Sequence, residues 1–320
     1  RRRRLPACGQ RPSLNRRRRM LAALHCWLSA VAALTSPVLR FTDCKSGREI
    51  ILVGCMHNNP TSISLAKQTI RDCAEAGALG AVVLESCQTR WENALRVLPA
   101  DSVLRSIFDN EFQAAADLAE EVDAGLALAD QPIEVTCGRL AQLCKLTAVE
   151  LATGQWRRVW QDIEVGWAAL QPDDERQGVS SAAFMAPELL AGAPLAWMRY
   201  FFGSPALAGL LVGVGVVLSA AVGVDPLAES PPLTFGDLLP SMLLALLESV
   251  LLLRVSLVGL VEERNFVLAR HIRAASMQVL TPPLALRQRG PGKDGRAVVA
   301  ILGLAHLNGV QRLLTTSRVV

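Results

Sequence analysis

The sequence predicts an α/β fold, a central sheet with flanking helices and a hydrophobic helical insertion. Three observations predict it. Four short runs of β-branched or aliphatic residues read as buried strands: Ile50–Val53, Ala81–Leu84, Ile133–Thr136 and Ala297–Leu302. Unbroken apolar runs of this length belong to strands covered on both faces. Helical patterns separate the runs, and a long helical block fills the middle of the chain before the last strand, which is α/β order with an insertion.

The helices follow in turn. Ser62–Ala76 starts on a serine and stops at Gly77. Asp101–Val122 reads as one amphipathic acidic helix, and Gly138–Gly154 and Gln155–Leu170 follow. A polar loop over Gln171–Ser181 leads into the apolar block. The Gly/Pro-rich stretch Arg287–Arg296 reads as a surface loop before the last strand, and a short helix closes the chain. No repeat of solenoid period is present.

Composition excludes several classes. The 320 residues are 51% hydrophobic and 19% charged, which excludes a disordered chain and a small disulfide scaffold. Aromatics are 5% of the chain, too few for a base-stacking nucleic-acid surface. The net charge of +4 is set by nine arginines within the first 19 residues. Without them 24 basic face 29 acidic side chains, so the body is acidic and nucleic acid is excluded as a partner.

Residues 1–42 read as a targeting leader, with no acidic side chain before Asp43. Its arginine clusters and serines fit an organellar transit peptide, chloroplast or mitochondrial. Alternatively Arg16–Arg19 and the apolar run Leu21–Leu34 form a secretory signal with Ala30-Val31-Ala32 as its cleavage site. Met20 is a candidate start. An α/β domain over 43–187 and 262–320 is then expected to flank an insertion over 188–261. Within the insertion Tyr200–Val224 has no charge and is long enough to span a bilayer. Leu238–Val261, which carries Glu248 and Arg254, is a second candidate span, and together they make a candidate membrane hairpin. The alternative packs the hairpin inside the fold. The eight cysteines contain no Cys-x-x-Cys pair, so zinc-ribbon and thioredoxin readings fail. Their scattered, mostly apolar-flanked settings suit a reducing compartment, and Cys55 and Cys87 read as small buried hydrophobes.

The chemistry gathers at predicted strand ends. Ile50–Val53 runs into Gly54-Cys55-Met56-His57, and Ala297–Leu302 into Gly303-Leu304-Ala305-His306. Each is a buried strand, a glycine, two spacers and a histidine. In open α/β sheets the carboxyl edge of the strands is where ligands bind. Ala81–Leu84 delivers Glu85, a carboxylate that is costly there unless paired or coordinated. Two imidazoles and a carboxylate make a catalytic divalent-metal set; the alternative is a structural Glu85–Arg90 pair. An imidazole separation beyond about 10 Å would exclude a shared ion. Asp130, before the run Ile133–Thr136, reads either as a sheet-edge group or as a turn aspartate. Glu262-Glu263-Arg264-Asn265 opens a helix, from which Arg264 and Asn265 can reach a substrate carbonyl or carboxylate. His271 reads as a solvated or packing residue. P-loop, Gly-x-Ser-x-Gly and His-Glu-x-x-His motifs are absent from the sequence.

Taken in order, these segments resemble the TraB family, in the group that includes the GumN-like proteins and the Tiki metalloproteases. Ile51–His57 resembles the first strand–Gly-x-x-His motif, and Glu85–Arg90 the family's Glu-x-Cys-x-x-Arg element. Ala129–Thr136 resembles its aspartate segment, Glu262–Asn265 its Glu-Arg-Asn helix start, and Gly303–Val310 its second Gly-x-x-His with a trailing glycine. The resemblance implies an α/β sheet on which both histidines and the carboxylate converge. It implies a membrane-associated, divalent-metal-dependent hydrolase of peptides, as in the Tiki branch; the TraB branch is associated with shutting down peptide pheromone signalling. His57, His306 and Glu85 would hold a metal ion (Mn, Co or Zn). Glu85 would be the third ligand or the general base, and Arg90, Arg264 and Asn265 would orient the substrate or stabilise an oxyanion. Cys55-Met56, where small or Thr-like residues are usual, and Asn58-Asn59-Pro60 after the histidine depart from the pattern. The alternative function is a non-catalytic organellar membrane protein that binds a peptide or protein partner.

Overall fold

The computed structural model describes residues 37–174, 177–180, 183, 185–203, 235–277, 285–287 and 297–316. Strand β1 is Val38–Thr42 and β2 is Glu49–Cys55. Helix α1, Pro60–Glu75, leads to β3, Leu79–Leu84. Helices α2 (Gln88–Val97), α3 (Val103–Phe108) and α4 (Glu111–Glu121) lead to β4, Gly125–Leu128. Helices α5 (Ile133–Ala152), α6 (Trp156–Leu170), α7 (Pro187–Gly203) and α8 (Phe235–Arg254) follow. A π-helical segment, Val255–Glu262, joins α8 to α9, Glu263–Ser276. Strands β5 (Ala285–Arg287) and β6 (Ala297–Gly303), a 3₁₀ turn over Leu304–His306 and α10, Leu307–Thr315, complete the order.

The six strands lie in the order β1-β2-β6-β3-β4-β5. The four central strands are parallel and both edges antiparallel. Period-two alternation in β2 sends Ile50 and Leu52 to one face, where Leu268 and Ile272 of α9 and Val310 and Leu314 of α10 pack. Ile51 and Val53 go to the other, against Ala66 and Ile70 of α1 and Ala115 and Leu118 of α4. With both faces covered, β2, β3 and β6 read as the continuous apolar runs seen in the sequence.

Several expectations are corrected. Ile133–Thr136 is the first turn of α5, not a strand. Pro132 at its N-cap is compatible with a helix start, and Glu134 complements the positive helix end. The strand that delivers Asp130 is β4, whose Ala81↔Gly125 to Leu84↔Leu128 register ties it to β3. Asp101–Val122 is two helices, broken where Asn110 caps α4 by accepting from the Phe112 and Gln113 amides. Residues 38–42, assigned to the leader, form β1 and pair with β2. Arg287, assigned to a loop, ends β5 against Leu126.

The second candidate span is also corrected. Leu238–Val261 forms most of α8 and of the π-helical segment, and its Arg254 is 1% exposed. Arg254 donates to Glu150 of α5 (2.5 Å), Thr147 (3.1 Å) and Asp162 of α6 (2.5 Å). That ionic anchor docks α8 on α5 and α6. Among the described residues no helix is long and apolar enough to cross a membrane. Residues 1–36 of the leader and 204–224 of the first apolar run lie outside the described residues. The six described cysteines are free thiols.

Candidate functional site

The four parallel strands end at one rim, and each delivers a polar side chain there. β2 leads to His57, β6 to His306, β3 to Glu85 and β4 to Asp130. Register sets this lateral order, since Cys55 pairs with Gly303 and Leu84 with both Ile301 and Leu128.

Two glycines let the strand ends interlock. A Cβ on Gly54 would lie 2.6 Å from Leu304 Cδ1 and 2.8 Å from Leu307 Cδ2, so the first motif makes room for the turn of the second. A Cβ on Gly303 would lie 3.2 Å from His57 Nε2, 3.3 Å from Glu85 Oε2 and 3.5 Å from His306 Cδ2. Both histidines and Glu85 therefore surround one point, well inside the separation that would part them.

Glu85 is 2% exposed. It accepts from Arg264 Nη2 (2.5 Å) and the Gly303 amide (2.5 Å), and His306 Nε2 lies 3.3 Å away. Burial alone would raise its carboxyl. His306, Arg264 and His57 outweigh burial and hold it well below the usual carboxylate range. Asp130, also buried, accepts from Arg90 Nη1 (2.6 Å) and from Arg264 through Nε (3.1 Å) and Nη2 (2.7 Å). Arg264 thus bridges two buried carboxylates, each of which would be costly without it. The suggested Glu85–Arg90 side-chain pair is corrected: Arg90 pairs with Asp130 and reaches only the Glu85 carbonyl, at 3.5 Å.

Each imidazole is tied down at Nδ1. His306 Nδ1 meets Asn265 Oδ1 at 2.7 Å. A Cβ on Gly309 would sit 2.1 Å from Asn265 Nδ2, so the trailing glycine makes room for this amide. His57 Nδ1 meets Glu111 Oε1 at 2.5 Å, and its ring lies 5.4 Å from that of Phe112. Burial lowers the His57 pKa, but Glu111 and Glu85 raise it more, and the net shift is upward. The His57 side chain is 46% exposed and that of Glu111 1%. His57 Nε2 faces Gly303, and His306 Nε2 is directed at Glu85 Oε1. Cys55 is buried and its thiol is pushed up by burial and by the nearby carboxylates. His271 bonds the carbonyl of Ala129, the residue before Asp130, at 2.7 Å.

Glu111 is the site residue that sequence reading misses. An acid in the first turn of a helix is ordinary capping chemistry, and nothing local marks it. Asn58 is the second. It adopts φ 61°, where its amide donates to Glu111 Oε2 at 2.9 Å. Its neighbour Asn59 caps α1, accepting from the Thr61 amide.

Among the described residues no three His, Cys, Asp or Glu side chains are already spaced to close on one ion. By type the donors fit a borderline divalent ion: two imidazoles with Nδ1 held by oxygen and Nε2 turned inward, beside an ionised carboxylate. No family model, curated protein or solved structure matches the chain.

Proposed function

We propose that the chain is a divalent-metal-dependent hydrolase that acts on peptides at the rim of the sheet. One observation carries the reading: two imidazoles from separate strand ends, each held at Nδ1, present Nε2 beside the buried Glu85 carboxylate around Gly303. His57, His306 and Glu85 would hold the ion, which when bound supplies Lewis-acid polarisation of a carbonyl and a more acidic water. Glu111 positions His57, and Asn265 holds His306 through Nδ1, which leaves Nε2 directed at Glu85. Arg90, 34% exposed at its side chain, is the guanidinium open enough to orient a carbonyl, while His306 and Arg264 together keep Glu85 ionised.

Metal titration of the purified chain tests the reading. Isothermal titration with Mn, Co and Zn is expected to give one tight site, lost in both His57→Ala and His306→Ala while the folded circular-dichroism spectrum is kept. Metal retention in both variants overturns it. One observation favours the non-catalytic alternative: Glu85 is already satisfied by Arg264, the Gly303 amide and His306. Under that reading no ion binds, and a partner is recovered by cross-linking.

Membrane association is part of the proposal. It is supported by Met242, Leu243, Leu246 and Leu252 of α8, which are 56–64% exposed, and by exposed Trp156, Trp160 and Trp167 of α6. The full chain is expected to float with liposomes, and Leu243→Glu with Leu246→Glu to weaken flotation several-fold. Absence of flotation in the wild type rejects it.

A further inference from the structure

We propose that a cavity beside the candidate site is a carboxylate-recognising subsite, which seats the charged end or an acidic side chain of an apolar peptide. The proposal rests on the hydrolase reading above and names what that site would take.

The cavity holds about 230 Å³ and is lined by Arg90 and Arg199 with no aspartate or glutamate. That volume takes one chemical group rather than a whole ligand. The charge of Arg90 is matched by Asp130 at 2.6 Å. Arg199, on α7, is held differently. Its Nε donates to the Ile107 carbonyl at 3.1 Å and its Nη1 to the Asn58 carbonyl at 3.2 Å. Both partners are neutral, and among the described residues no carboxylate pairs with it. These two bonds hold the guanidinium without neutralising it, and the Nη2 end keeps donors for a carboxylate.

The rest of the lining agrees. Asn58 and Asn93 add amide groups, and Val97 and Phe108 make an apolar wall. Beyond it, α3 exposes Val103, Leu104 and Ile107 at 79%, 54% and 51%. Charge recognition beside exposed apolar side chains suits an apolar peptide with one carboxylate. The cavity also adjoins the chemistry. Asn58 follows His57 and donates to Glu111, and Arg90 reaches Asp130. A carboxylate seated there leaves the adjoining peptide bonds over the rim.

Fluorescein-labelled leucine–alanine pentapeptides, bound to the full chain and followed by anisotropy and by cleavage with Mn present, test this. Three probes are used: a free carboxyl terminus, its carboxamide, and a carboxamide with an internal glutamate. The free acid is expected to bind about tenfold tighter than the plain carboxamide. If the internal-glutamate probe alone is tight, the subsite is assigned to acidic side chains. Arg199→Gln is expected to erase the preference. Asn93→Glu, at an exposed position that leaves the Arg199 bonds intact, is expected to reverse it. Equal affinity for the three probes, or an unchanged preference in Asn93→Glu, overturns the proposal. Selective binding without cleavage rejects the hydrolase and keeps the subsite, whereas cleavage without selectivity does the reverse.

Discussion

The His57 ring acquires its setting from Glu111, a residue 54 positions away in sequence that the fold buries against it. Glu111 and Glu85 outweigh the partial desolvation of this half-exposed ring, so it holds its proton to higher pH than usual. Glu111→Gln keeps the shape and removes the charge. The His57 titration, read by NMR, is expected to move down towards its ordinary value near 6.5. An unmoved midpoint would show that Glu111 is not the source. The glycines make the same point about distance. Their spacing from the histidines is visible in the sequence, but the reason for it is not. Gly303 leaves room for the His57, Glu85 and His306 side chains, which a Cβ would meet at 3.2–3.5 Å, and Gly309 does the same for Asn265.

Elements follow local chemistry until two readings compete. Ile133, Val135 and Thr136 have strand-forming side chains, yet they open α5, because the sheet position beside β3 is taken by Gly125–Leu128. Helix α8 illustrates the opposite case. Its leucines suggest a span, and the single Arg254 decides its place by joining Glu150 and Asp162 in a buried network. Replacing Arg254 by Met leaves Glu150, 7% exposed at its side chain, without its cation. Urea unfolding is expected to show a loss of about 3 kcal/mol, and adding Glu150→Met to recover much of it. A neutral single variant would mean that the network is only decorative.

For the whole molecule, the two ends of the described chain are joined at one buried pair. Asp43, just after β1, meets Arg273 of α9 at 2.9 Å, and Arg273 also donates to the carbonyls of Leu313 and Leu314 in α10. Burial by itself would raise the Asp43 carboxyl, but Arg273 and the Ser46 amide hold it below its ordinary value. Its stabilising contribution is therefore full above the ordinary carboxylate range and is lost as pH falls through the depressed value. Asp43→Asn is expected to cost about 3 kcal/mol at neutral pH and to flatten the acid limb of a pH–melting curve. A variant that keeps the wild-type acid slope would contradict this coupling. The same closure holds β1, β2 and α10 together on the side of the sheet that carries both Gly-x-x-His segments.

Much of this arrangement is legible along the chain, for physical reasons. Strands buried on both faces are runs of apolar residues, and a glycine before a polar residue marks where such a strand ends. The glycines nominate His57 and His306, a carboxylate ending the apolar run Ala81–Leu84 nominates Glu85, and the runs together predict a sheet. Period and composition say nothing about which strands become neighbours. Placing β6 between β2 and β3, pairing Arg264 with two carboxylates, and turning Glu111 and Arg199 towards the rim all depend on contacts between segments far apart in sequence. Those contacts were decided by tertiary packing, because a buried charge is tolerated only where another segment brings its partner.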